Sequence, residues 1–216
     1  MSVLLRRDVL KLLASAALAP MMLTAGCRSQ TGPWGMADVI RARIKLPDIP
    51  SRDFVITDFG AVGDGQADCT DAIAAAIAAA MASGGGRIVV PPGNYLTGPV
   101  HLEDHTNLHV QKDATLSFIP EPERYLPEVF TRWEGLEFMG YSPLIYAFGK
   151  TDVAITGEGT LNGGADKTNG WPWKGKWKGK FEEAEFTQQE ARDQLVADAE
   201  AGVPPEDRHY SDGAFL

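Results

Sequence analysis

The sequence is short of cysteine, short of histidine and without surplus positive charge, and each shortage excludes something. Cys27 and Cys69 are the two cysteines among 216 residues, so no dense disulfide framework holds the fold and stability has to come from packing. Twenty lysines and arginines face 29 aspartates and glutamates, a formal charge of −9, which argues against non-specific binding to nucleic acid. Three of the four histidines, His101, His105 and His109, stand four apart. On a helix they would form a metal ladder, but Gly98-Pro99 and the alternation Leu108-His109-Val110 mark strand and turn, so no metal site is expected. Long apolar runs are missing too: Leu12 to Leu23, broken by Ser15 and Pro20, is too short to span a bilayer. Glycine and proline, 23 and 14 residues, are plentiful and favour many turns over long helices.

The first residues read as an export signal. Arg6-Arg7 precede Asp8-Val9-Leu10-Lys11 and the apolar run, an arrangement that resembles a twin-arginine signal. Leu23-Thr24-Ala25-Gly26-Cys27 resembles a lipobox, with Cys27 the residue to be lipidated. The expectation is a signal over residues 1–26, a tether over 27–51 and a folded part over 52–216. The protein is then exported, as a periplasmic or membrane-anchored lipoprotein or a secreted protein, and meets the membrane only through a lipid anchor.

Past the tether, Phe54-Val55-Ile56 reads as a strand. "DFGAVGDGQADC" then leads into an alanine-rich segment. A glycine turn before a helix suggests a phosphate cradle, but Asp64, Asp68 and Asp71 crowd the place a phosphate would take. No Gly-Lys-Ser/Thr follows, so a P-loop is excluded. The stretch instead predicts a turn and a helix, with Asp68 as cap, Asp71 completing a capping box, and Ile73, Ile77 and Met81 on one apolar face. Gly84 to Gly86 end it.

From Arg87 onward short β-branched runs alternate with Gly, Pro, Asn and Asp. "TNLHVQKDATLSF" from Thr106 aligns with "TDVAITGEGTLNG" from Thr151 at an offset of 45, matching Leu108 to Val153, Val110 to Ile155, Thr115 to Thr160 and Leu116 to Leu161. Repeated coils whose apolar positions stack predict a solenoid, a parallel β-helix. The offset exceeds one coil, so Pro120 to Tyr141 should be an insertion. Phe181 to Gly202 reads as a surface helix.

The residues with binding chemistry are in "WPWKGKWKGKF", where Trp171, Trp173 and Trp177 interleave with lysines such as Lys174. Flat aromatic faces stack on sugar rings and lysines meet carboxylates, which suits an acidic polysaccharide; a loop packing its tryptophans on the solenoid is the alternative. The carboxylate pairs Glu121/Glu123, Glu134/Glu137 and Asp152/Glu158 show no acid–base environment and read as solvated loop charges.

"ITDFGAVGDGQADCTDAIAAAI", "GGGRIVVPPGNYLTGPVHL", "WEGLEFMGYSPLIYAFGKTDVAITGEGTLNG" and "WPWKGKW" together resemble the N-terminal part of bacterial family-28 glycoside hydrolases, the polygalacturonases. The resemblance implies an all-β, right-handed parallel β-helix with an N-terminal capping helix, to which the helix read over Phe181 to Gly202 adds a helical insertion near the C-terminus. It implies inverting hydrolysis of α-1,4-galacturonosyl bonds in pectin, no cofactor, and a monomer when full length. The catalytic Asn-Thr-Asp, Asp-Asp and His-Gly motifs of that family are absent. Arg43-Ile44-Lys45 matches a fourth motif by sequence but precedes the first coil, so no role is carried onto it. No catalytic residue is therefore expected in this chain, and Ala214-Phe215-Leu216 reads as the start of a further strand in a truncated enzyme. A surface lipoprotein that binds acidic glycans, or a β-helix polysaccharide lyase, are the competing expectations.

Overall fold

The computed structural model describes residues 34–167, 170–174 and 187–211. Contacts divide the chain into Met1–Lys45 and Leu46–Leu216. In the first unit the described residues form a two-turn helix, α1 (Ala37–Arg43), with no buried residue. Asp38 in its first turn and Arg41 and Arg43 in its last complement the helix dipole. This helix lies in the segment expected to be a plain tether. The Arg43-Ile44-Lys45 run starts at its last residue and continues, exposed, beyond it. The export-signal residues and Cys27 lie outside the described residues.

The second unit is a parallel β-helix. The strands are β1 (Asp53–Val55), β2 (Asp64–Asp68), β3 (Gly86–Val90), β4 (Gly93–Thr97), β5 (Val100–His101), β6 (Thr106–Val110), β7 (Ala114–Phe118), β8 (Val129–Trp133), β9 (Leu136–Gly140), β10 (Ile145–Tyr146), β11 (Ala154–Gly157), β12 (Thr160–Asn162) and β13 (His209–Tyr210). One parallel sheet runs β1-β3-β6-β11, a second β2-β4-β7-β12, and β5 pairs β10 on a third side. Each coil stacks like residues: Ile88 beside Leu108 and Ile155, Tyr95 beside Leu116 and Leu161. The alternation within each strand puts Ile88, Val90, Leu108, Val110, Tyr95, Leu116 and Phe118 into one buried core.

The repeat is confirmed, with a shift in its first half. Leu161 pairs Leu116 as expected, but Leu108 pairs Ile155 rather than Val153, and Val110 pairs Gly157 rather than Ile155. The turn between the two strands has lost two residues in the second copy. An even deletion keeps every side chain on its face, which is why an alignment at a single offset looks sound. Gly157 sits at φ +108, and a Cβ there would lie 1.9 Å from the Val110 carbonyl oxygen, so the shortened turn requires glycine.

The opening stretch is more than a turn. Ile56–Phe59 form a 3-10 turn, and Asp64–Asp68 form β2, the edge strand beside β4. The helix α2 (Thr70–Ala82) follows. Its expected capping box does not form: Cys69 is the cap position, and Asp68 instead accepts from the backbone N–H and hydroxyl of Thr70 at 3.0 and 2.5 Å. The same Thr70 oxygen accepts from Gly98 N–H at 2.7 Å. The buried face is Ile73, Ala76, Ile77 and Ala80; Met81 is 39% exposed. A true 3.6-residue period carries the stripe to Ala80 at i+7 and turns Met81 outward. This face joins the core of the coils, and α2 lies against β1, β3 and β5.

Pro120 to Tyr141 contributes no strand to the three parallel sheets of the coils. It holds a 3-10 turn at Pro122–Tyr125 and the antiparallel hairpin β8–β9. Glu134 and Gly135, both at positive φ, make the two-residue connection that suits strand twist. The helix α3 (Gln189–Glu200) packs on β9, and Phe138, Ala191, Leu195 and Tyr210 form a second small core. At the far end of the stack Ile155 and Leu161 are 50% and 42% exposed, although their partners Leu108 and Leu116 are buried. No helix among the described residues is long and apolar enough to cross a membrane.

Candidate functional site

Trp171–Lys174 form a 3-10 turn entered through Gly170 at φ +74. Trp173 N–H donates to Gly170 O at 3.2 Å and Gln188 N–H to Trp173 O at 2.6 Å, which seats the turn. Trp171 is half exposed. Trp173 is half-buried and lines a cavity of about 300 Å³. Trp177 lies outside the described residues, and of Lys174 only the backbone is described.

Five chain segments build the cavity: Ile119 to Tyr125 after β7, Tyr141 to Leu144 before β10, Gly163 to Ala165 after β12, the tryptophan turn, and Gln188 ahead of α3. Gly164, at φ +70, lets the chain fold back over it. Tyr125 donates its hydroxyl to Ile119 O at 2.9 Å, and burial pushes that hydroxyl up to about 12. Tyr141 donates to Ser211 O at 2.7 Å. Ser142, buried, donates to Pro143 O at 3.0 Å and lies 2.9 Å from His101 Nε2. Burial pushes the His101 imidazole down, so it is neutral near pH 7, with Nε2–H donating to a serine already committed as a donor. Glu121 at the rim accepts from Arg124 at 2.9 Å, and Arg124 also meets Asp68 at 2.5 Å. The result is an aromatic and apolar hollow whose hydrogen-bonding groups largely face the protein, an arrangement suited to a flat, weakly polar ring face.

The other expected residues are distributed as follows. The histidine ladder does not exist: His105 Nδ1 meets Asp48 O at 3.1 Å and Asp152 at 3.2 Å, and His109 Nδ1 meets Thr156 Oγ1 at 2.8 Å. No group of three or more metal-ligating side chains occurs among the described residues. Glu134 pairs Arg192 at 3.2 Å, and Asp152 accepts from Asp48 N–H at 3.1 Å, so these carboxylates serve structure. Of the cavity residues, sequence reasoning found Trp173 and missed Tyr125, Tyr141, Ser142 and Leu144. Their signal was the proline and aromatic density of Pro120 to Tyr141, which marks an insertion without saying what it encloses.

A stack of parallel coils carrying an aromatic hollow on its flank defines the broad class. The comparisons with known proteins agree. A family model described as rhamnogalacturonase A/epimerase, pectate lyase-like, matches residues 54–109. A probable polygalacturonase of Vitis vinifera is 33% identical over 134 residues, 58% of this chain and 26% of the relative. A mannuronan C5-epimerase of Azotobacter vinelandii is 58% identical over 43 residues, 20% of this chain and 2% of the relative. The solved hyperthermoactive exopolygalacturonase of Thermotoga maritima superposes with a TM-score of 0.79 at 46% identity, covering 84% of this chain and 40% of that one. The chain thus spans about a quarter of the grapevine relative and two fifths of the Thermotoga enzyme. It resembles the family-28 polygalacturonases within the pectin-lyase-like enzymes that act on polysaccharides.

Proposed function

We propose that this chain is the N-terminal, non-catalytic part of a pectin-degrading glycoside hydrolase that hydrolyses α-1,4-galacturonosyl bonds with inversion. The carrying observation is the 46% identity with the exopolygalacturonase fold over 84% of the chain. The catalytic Asn-Thr-Asp, Asp-Asp and His-Gly motifs do not occur in the sequence, so the acid and base carboxylates belong to coils beyond these. The exposed Ile155 and Leu161 fit a following coil that would cover them. In this reading α2 caps the first coil, α3 forms the helical insertion near the C-terminus, and Trp171, Trp173, Lys174 and Trp177 belong to a substrate-binding loop. The paired arginines and Cys27 would direct export and anchoring; export surviving Arg6→Lys with Arg7→Lys would argue against the twin-arginine route.

The test is a product assay on polygalacturonate with this 216-residue chain. The expected result is no release of reducing ends. Release by this chain alone would overturn the placement of the catalytic carboxylates elsewhere. The epimerase similarity favours one second reading, chemistry at the uronate C5 carbon by elimination or epimerisation. Unsaturated or epimerised uronides would select it.

A further inference from the structure

We propose that the cavity beside Trp173 takes a methyl-esterified galacturonan ring in preference to a free galacturonate; this rests on the galacturonan reading above. Its described lining is apolar and aromatic, with Ile119, Pro120, Tyr125, Pro143, Leu144 and Trp173 contributing. Among the described lining residues Glu121 is the charged one, and it is an anion. Arg124, which pairs with Glu121 of the lining, is held by two carboxylates, Glu121 and Asp68. The hydroxyls of Tyr125 and Ser142 donate to backbone carbonyls. A carboxylate entering here would lose water without gaining a charged partner from the described lining, and it would face the Glu121 carboxylate.

Methyl esterification removes that charge and adds apolar surface against Leu144 and the prolines, while Gln188 at the rim offers a neutral amide to an ester carbonyl. The volume, about 300 Å³, lies at the small end of ligand sites, roughly 300–1,000 Å³, and suits one ring rather than an oligosaccharide. The charge of the whole chain, −9, acts in the same direction by repelling a polyanion at low salt. The tryptophan–lysine run had suggested uronate carboxylates as the ligand; the described walls of the hollow point to the ester.

The experiment titrates the full chain, by tryptophan emission, with trigalacturonate and with its fully methyl-esterified form at low and high salt. The expected result is that the ester binds at least about tenfold tighter at low salt, and that added salt strengthens binding of the acid alone. Equal or tighter binding of the acid overturns the proposal and leaves the galacturonan reading standing. Binding of neither overturns both. Two variants place the effect: Leu144→Lys, and Ala165→Lys at an exposed lining position, each add a cation and should reverse the preference. A folded variant of either kind that keeps the ester preference would overturn the placement in this cavity.

Discussion

Replacing Ile73 with alanine should destabilise the chain by about 2.5–4 kcal/mol, while the same change at Met81 should cost less than about 1 kcal/mol. Ile73 is 1% exposed and Met81 39%, although the two lie eight residues apart on one helix and simple spacing puts both on its apolar face. Ile73→Ala removes three carbons; at about 0.8 kcal/mol each they contribute roughly 2.4 kcal/mol of lost burial. The rest comes from a void that Ile77, Ala76 and the facing strands close only in part. Guanidinium unfolding followed by tryptophan emission, with midpoints compared at constant slope, measures both variants. A loss below about 1 kcal/mol at Ile73, or an equal loss at Met81, would refute the packing of α2 on the coils.

Ile77→Asp puts a carboxylate into the same buried face and should cost more than about 4 kcal/mol, measured in the same way. Gly157→Ala must relieve a 1.9 Å contact with the Val110 carbonyl at φ +108 and should lose more than about 2 kcal/mol, whereas Gly84→Ala, at φ +82 in open space, should lose about 1 kcal/mol. The Tyr125 hydroxyl, pushed by burial from 10.0 to about 12, keeps its proton in the folded chain where the unfolded chain has lost it. Its contribution is complete below about pH 10 and disappears as pH rises through about 12; Tyr125→Phe should flatten that part of the stability–pH curve. The Glu128 carboxylate, hydrogen-bonded to His209, raises the imidazole above its ordinary range. The contribution of that pair is present at lower pH and fades as pH rises through the raised value; proton NMR should find His209 titrating high, and Glu128→Gln should bring it down.

Much of the solenoid was legible because its signal is local and repeated. Leu108, Leu116 and Leu161 alternate with polar residues, and two copies of one pattern suffice to identify stacked coils. What escaped depended on contacts between segments. "GDGQAD" has poor strand propensity, and β2 forms there because β4 offers it an edge. Asp68 looked like a cap, yet its carboxylate is shared between Thr70 and Arg124, 56 residues away. The two-residue deletion before Gly159 left the face pattern intact and so could not be seen in the alternation. Trp173 of the cavity was legible as a sugar-binding residue type. The cavity's walls, Tyr125, Tyr141 and Leu144, were not, because two separate segments bring them together.

The proposal that these coils belong to a protein acting on galacturonan is tested most directly by equilibrium binding. Calorimetric titration of the chain with partly esterified oligogalacturonides, against cello-oligosaccharides of the same length, should give saturable binding for the galacturonides and none for the glucan. No heat with any galacturonide, or equal binding of the glucan, would contradict it.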